Sequence, residues 1–324
     1  MSTYERWIRD EGVPVIRGHG IQDLRDVELG EWKRLGGKGA YIQLQGQEGF
    51  SGLYTVEIPP GGSLNVEKHM YDELIYVLRG TGTTEIWSDK DGPRKTFEWQ
   101  TGTLFAPPMN TYHKLYNASG TETARLLGAT SAPLIMDVFH NTDFIFNSDF
   151  VFTDRYNGRD DYFNVGPRHQ HTSSWGEITT WETNYIPDVR GTSLNSSEHF
   201  GEGNTAVNYD MSGNVYVGHM AEWPVGKYRK AHHHGGGAIL IIVRSEGYTL
   251  LWPPSCGLHP FQGGHEDEVV RVDWREGGVR RGVGFTSTST PDQSQRDSSP
   301  SATEVTSLVL HSTTYRQPRA PASA

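Results

Sequence analysis

The segment Gly61-Gly-Ser-Leu-Asn-Val-Glu67-Lys-His69-Met-Tyr-Asp-Glu73-Leu-Ile-Tyr-Val-Leu-Arg79-Gly80 sets three side chains of metal-ligand type ahead of an apolar run. On a strand alternate residues share a face, so Glu67 and His69 point the same way. Glu73 lies four residues beyond His69 and joins them across a bend. The run Leu74 to Leu78 is apolar at every position and stops at Arg79-Gly80-Thr81-Gly82. A second segment reads Gly102-x5-Pro108-x-Asn110-x2-His113-x3-Asn117, and brings His113 in from a later strand. Two imidazoles and two carboxylates meeting inside a barrel suit a divalent transition ion, Mn(II) or Fe(II).

Outward from this segment the chain reads as short strands. Leu53–Ile58, Thr83–Trp87, Thr103–Ala106, Thr111–Tyr116 and Arg125–Leu127 follow one another, separated by Gly, Pro and Asp clusters such as Ser88–Pro93. Regular short strands of this kind indicate an antiparallel sandwich or barrel. The same order returns from Val215: a strand, the turn Pro224-Val-Gly226, a His-bearing segment, the apolar run Ala238–Val243, the turn Ser245-Glu-Gly247 and the aromatic strand Tyr248–Trp252. The chain is therefore read as an internal duplication of one β module. Residues 3–12 and 22–33 are the stretches with helical character.

The two spacings around Glu67 and His113 resemble the paired motifs of the cupin superfamily. The resemblance implies an all-β fold, with two double-stranded β-helix (jelly-roll) barrels in tandem, a bicupin. Its pattern has His where this chain has Glu67 and Gly where it has Asn110. Glu for His keeps a ligand but adds a second carboxylate, which makes a bound ion a weaker Lewis acid. In the second module Gly226-x5-His232-x-His234-x3-Ala238 falls in register with the first motif: His232 for Glu67, His234 for His69, Ala238 for Glu73. An all-histidine set of this kind resembles the three-histidine iron site of gentisate 1,2-dioxygenase-like bicupins. The implied metal residues are thus Glu67, His69, Glu73, His113, His232 and His234.

The third histidine of the second set is missing. After Val279 alternation gives way to a Ser/Thr/Pro/Gln-rich stretch that ends Arg316-Gln-Pro-Arg-Ala-Pro-Ala-Ser-Ala324. Codons able to encode Val283 to Glu304 permit, in a neighbouring frame, a segment carrying Pro-x-Gly-x2-His-x3-Asn, the absent motif. Residues 280–324 are accordingly expected to be a frameshifted, disordered tail that leaves the second barrel incomplete. The organisation expected is an arm (1–37), a first barrel (38–135), a connector (136–195), a second barrel (196–279) and this tail.

The composition sets outer bounds. Of 324 residues 35% are hydrophobic and 21% charged, enough for a core and too apolar for a disordered chain. No apolar run reaches the ~20 residues a membrane helix needs, and Met1–Trp7 lacks the layout of a secretory signal, so the expected location is cytoplasmic. A net charge of -10 argues against nucleic acid as a partner. The single cysteine, Cys256, excludes a disulfide framework. It shows no paired base, His259, His265 and His311 are expected on the solvent side, and His169-x-His171 reads as a loop. Tyr71, Tyr76, Trp87, Phe105, Tyr112 and Trp252 read as core or barrel-wall residues, and those that face inward suit a small organic acid or an aromatic ligand.

Three functional classes stand on these residues: a non-haem oxygenase, a manganese decarboxylase, isomerase or aminohydrolase using the first site, and a non-catalytic binding cupin. Cupin relatives also imply homo-oligomers formed through barrel faces. Sequencing the gene tests the tail: a shifted reading expects His-x3-Asn after Pro-x-Gly in one of the other frames, and codons that yield it in neither refute the shift.

Overall fold

In the computed structural model, the described residues are all but 168, 173–178, 197–202, 212, 234–237, 282–284, 290–304 and 313–324. The first barrel is built from β1 (Gly37–Leu44), β2 (Gly52–Ile58), β3 (Glu73–Arg79), β4 (Thr81–Trp87), β5 (Lys95–Gln100), β6 (Leu104–Phe105), β7 (Tyr112–Asn117) and β8 (Ala124–Thr130). One sheet runs β1-β2-β8-β3-β6 and the other β7-β4-β5. The second barrel uses β9 (Thr205–Met211), β10 (Tyr216–Trp223), β11 (Tyr228–His233), β12 (Ala238–Arg244), β13 (Glu246–Trp252), β14 (Val270–Arg275), β15 (Val279–Arg281), β16 (Phe285–Ser289) and β17 (Val305–Ser312). Its sheets run β9-β10-β17-β12-β15 and β11-β16-β13-β14, the same order with β11 added at the end of the second sheet.

The duplication extends to individual contacts. Trp99 Nε1 donates to Thr84 Oγ1 at 3.1 Å and Trp274 Nε1 donates to Thr249 Oγ1 at 3.0 Å. Each indole stands opposite a glycine, Gly82 or Gly247, on the neighbouring strand. A Cβ at Gly82 would lie 2.1 Å from the Trp99 ring, so the pair requires the missing side chain. Ser245, at φ 77, occupies the turn that Gly80 holds at φ 103.

The apolar runs are explained by burial on both faces. In β3, Ile75 and Val77 face the first barrel's interior, whereas Leu74, Tyr76 and Leu78 enter a core shared between the barrels. In β12, Ile239, Ile241 and Val243 meet that same shared core from the other side. The linking segments cross over. Gly20–Ile21 of the arm pairs with β15 of the second barrel, and Tyr185–Ile186 of the connector pairs with β6 of the first.

Three expectations differ. Thr3–Asp10 is a helix, closed by a capping box between Ser2 and Glu5, but 22–33 holds none. There Asp23 accepts hydrogen bonds from Arg25 and Arg275, Leu24 N–H donates to Gly277 O at 2.8 Å, and Arg125 grips Val27 O. These tertiary partners hold the polar groups a helix would have used. His169–Thr172 is a strand rather than a loop, paired with Thr179–Thr183.

The tail also differs: from residue 280 onward it continues β15 and supplies β16 and β17, with β17 set between β10 and β12. Phe285-Thr-Ser-Thr-Ser289 and Val305-Thr-Ser-Leu-Val-Leu310 both carry β-branched residues; the first finds partners in β11 and β13, and the second fills the gap between the edges of β10 and β12. The rest of the expected tail lies outside the described residues.

Thr249→Val and Thr84→Val each strand a buried indole N–H. Each substitution is expected to lower stability by about 1–3 kcal/mol in urea denaturation. Unchanged midpoints in both would show that these bonds do not secure the barrels.

Candidate metal centre

Glu73 opens β3 and points into the first barrel with Ile75 and Val77. Glu67 faces His113 of β7 through a pair of backbone bonds, Glu67 N–H to His113 O at 3.0 Å and His113 N–H to Glu67 O at 2.9 Å. His69 Nδ1 lies 2.9 Å from Tyr71 O and His113 Nδ1 3.4 Å from Thr111 O. A carbonyl at Nδ1 assigns the proton there and leaves each Nε2 as a ligand atom. Both Nε2 atoms lie 3.5 Å from the same oxygen, Glu73 Oε2.

That oxygen and His69 Nε2 are buried and have no hydrogen-bond partner. Buried polar atoms are ordinarily satisfied, so two orphans facing one another fit a cation between them. The other Glu73 oxygen accepts from Tyr54 OH at 2.7 Å, which fixes the carboxylate's rotation. Glu67, His69 and His113 each offer a ligand atom within 4.8 Å of the others. The four expected residues of the first motif therefore converge, a donor set suited to Mn(II) or Fe(II).

Electrostatics reinforce the arrangement. Burial opposes the charge on Glu73, but the close approach of His69, with His113 and Tyr54, holds its carboxyl below the ordinary value. Burial likewise opposes protonation of His69, and Glu73 overcomes it, raising the imidazole. His113 is lowered, because burial outweighs Glu73 there. Tyr71 stacks on His69 with ring centroids 3.8 Å apart and fixes that ring's plane.

Asn110, in place of glycine, adopts φ 56, a left-handed conformation that asparagine tolerates. Its amide donates to Ser148 O and Phe150 O at 3.2 and 2.6 Å, tying the connector beside the site.

Sequence reasoning missed Arg34. Its guanidinium pairs with both Glu67 and Glu11 and lies 5.0 Å from the Trp7 ring centroid and 5.5 Å from that of Trp32. A narrow cleft lined by Tyr4, Trp7, Arg34, Tyr41, Glu67 and Tyr71 opens beside the ligands. Arg34 belongs to the arm and follows Trp32-Lys33 without any recognisable spacing, so only its place in space marks it.

Only part of the second set lies among the described residues. His232 stands opposite Thr286 just as Glu67 stands opposite His113, so a threonine holds the third-histidine place. Ala238 replaces Glu73 and is buried. His234 lies outside the described residues.

Residues 54–129 match the family model for the cupin domain. This stretch falls within the first barrel. The whole chain has the bicupin fold, and solved structures of Bacillus subtilis oxalate decarboxylase share it. One describing its Mn(II) centers is 12% identical with TM-score 0.55, covering 93% of this chain and 79% of that one. A mutant altered at four consecutive positions is 11% identical with TM-score 0.56 over the same shares. A third, determined at pH 4.6, is 12% identical with TM-score 0.54, covering 92% and 76%. No curated protein matches the chain in sequence. Among the described residues no helix is long and apolar enough to cross a membrane.

Tyr54→Phe removes the bond that orients Glu73. It is expected to weaken Mn(II) binding about 10–100-fold in calorimetric titration while leaving the fold intact. Affinity equal to wild type would show that Glu73 is positioned without it.

Proposed function

We propose that this chain is a metal-dependent bicupin enzyme of the decarboxylase kind, acting on a small organic acid at the first barrel's site with Mn(II) or Fe(II). The observation that carries the reading is the pair of Nε2 atoms of His69 and His113 facing one unpartnered oxygen of Glu73. The likeness to oxalate decarboxylase structures supports it at the level of fold.

The bound ion supplies a Lewis-acidic, redox-capable centre for the substrate's oxygens. The chain's own residues do the rest. Arg34 lines the cleft between Glu67 and Glu11 and orients both carboxylates there. Trp7, Tyr4 and Tyr41 line the approach with rings and limit water. Glu67 is a candidate ligand beside the two imidazoles, and Arg34 holds its carboxylate in place at the cleft. In a decarboxylation the bond to the carboxylate carbon breaks, CO₂ leaves, and the product takes up a proton in its place.

The oxygenase reading rested on the three-histidine set of the second barrel. Thr286 in the third place weighs against that set, so the first barrel is favoured.

Metal content, CO₂ release and O₂ uptake should be measured together on small mono- and dicarboxylic and aromatic acids. The expected outcome is about one Mn or Fe per chain in the first barrel, lost in His69→Ala, with CO₂ released and no equimolar O₂ consumed. Stoichiometric O₂ uptake with an oxygenated product would overturn the decarboxylase reading in favour of the oxygenase. Arg34→Ala, which releases Glu67, is expected to lower kcat/KM tenfold or more, about 1.4 kcal/mol.

A further inference from the structure

The connection between β13 and β14 is unlike its counterpart. In the first barrel the matching turn spans only residues 88–94, whereas here residues 253–269 intervene. Long connections in compact barrels are uncommon without a role. This one is ordered by its own backbone: Gly263 N–H donates to His259 O, His265 N–H to Pro260 O at 2.9 Å, and Glu268 N–H to His265 O at 3.0 Å. Trp252 Nε1 donates to Gly257 O at 2.8 Å and pins the loop's start to the barrel.

On this scaffold Cys256, His265 and Glu268 bring a sulfur, an imidazole nitrogen and a carboxylate oxygen within 4.8 Å of one another. Cys256 is 7% exposed and sits at the base of the group, while His265 and Glu268 close over it from the solvent side. Glu268 Oε1 lies 2.9 Å from His265 Nδ1, so the carboxylate orients the imidazole, and the thiol lies within 4.8 Å of a ligand atom of each. Sequence reading left Cys256 without a partner and His265 at the surface. The partner comes from the loop's fold, which brings residues nine and twelve positions onward back to the thiol.

We propose that Cys256, His265 and Glu268 form a second metal site, separate from the barrel centre, which takes Zn(II). Sulfur, imidazole and carboxylate on one ion are a borderline-soft set that favours Zn(II) over Mn(II). Three protein donors leave a fourth tetrahedral position to water at the surface, so the ion is exchangeable. The barrel centre, with two carboxylates and no sulfur, has the opposite preference. The two sites therefore load with different metals from a mixture.

Because the chain has one cysteine, any thiolate-to-metal charge-transfer band reports on Cys256 alone. The test is titration of the full chain with Cd(II), followed by its ultraviolet charge-transfer absorbance, and with Zn(II) against a chromophoric chelator. Wild type is expected to show the band saturating at one Cd(II) per chain. Cys256→Ser should lose the band and one equivalent of Zn(II), and His265→Ala should weaken Zn(II) binding tenfold or more. His69→Ala, which disables the barrel centre, should keep the band. A wild-type protein without the band, or Cys256→Ser and His265→Ala both retaining wild-type Zn(II) stoichiometry and affinity, would overturn the proposal.

Discussion

Everything near the first site depends on β3 being buried on both faces. One face carries Glu73, Ile75 and Val77 into the barrel; the other carries Leu74, Tyr76 and Leu78 against the second barrel. A carboxylate at the head of such a strand is cut off from water by protein on every side, and ionised carboxyls tolerate that only with close partners. Tyr54, His69 and His113 supply them. The interface is polar just beside this point: buried Asp72 pairs with Arg155 and receives Val215 N–H at 2.8 Å, and Asn214 donates to Glu73 O at 3.1 Å. The second barrel thus helps to position the first barrel's ligand strand through backbone contacts as well as apolar packing.

Comparing the two barrels separates what the fold needs from what the chemistry needs. The indole–threonine bond, the facing glycine, the left-handed turn before β4 and β13, and the doubly apolar strand occur in both halves. The ligand positions do not: Glu67, Glu73 and His113 correspond to His232, Ala238 and Thr286. A barrel can lose its donors and keep its strands, because the donors contribute little of the apolar contact that holds the sheets.

Much of this was legible in the sequence, for identifiable reasons. Alternation put Glu67 and His69 on one face, the apolar run marked β3 as doubly buried, and the repeated turn residues exposed the duplication. Arg34 was not legible, since its partners Glu11 and Glu67 come from remote segments and no periodicity links them. The helix expected over 22–33 failed because Asp23, Arg25 and Leu24 bond to residues more than a hundred positions away. Beyond Val279 low apolar content concealed strands whose positions are set by open sheet edges elsewhere. The Cys256 group escaped notice because spacing alone does not bend a loop back on itself.

The crossed linking segments impose an order on the birth of the molecule. The edge strand Tyr185–Ile186 that completes the first barrel's sheet leaves the ribosome long after that barrel's last own strand, and Gly20–Ile21 must wait for residues 279–281. A nascent chain therefore carries an unfinished sheet edge and an unpaired Gly20–Ile21 through most of its synthesis. Such exposed edges are what chaperones shield and what neighbouring chains on a polysome can capture. Arg34 is spared this delay: the flanking strands Val15–Gly18 and Gly30–Trp32 pair with β1, so the guanidinium at the cleft is secured with the first barrel.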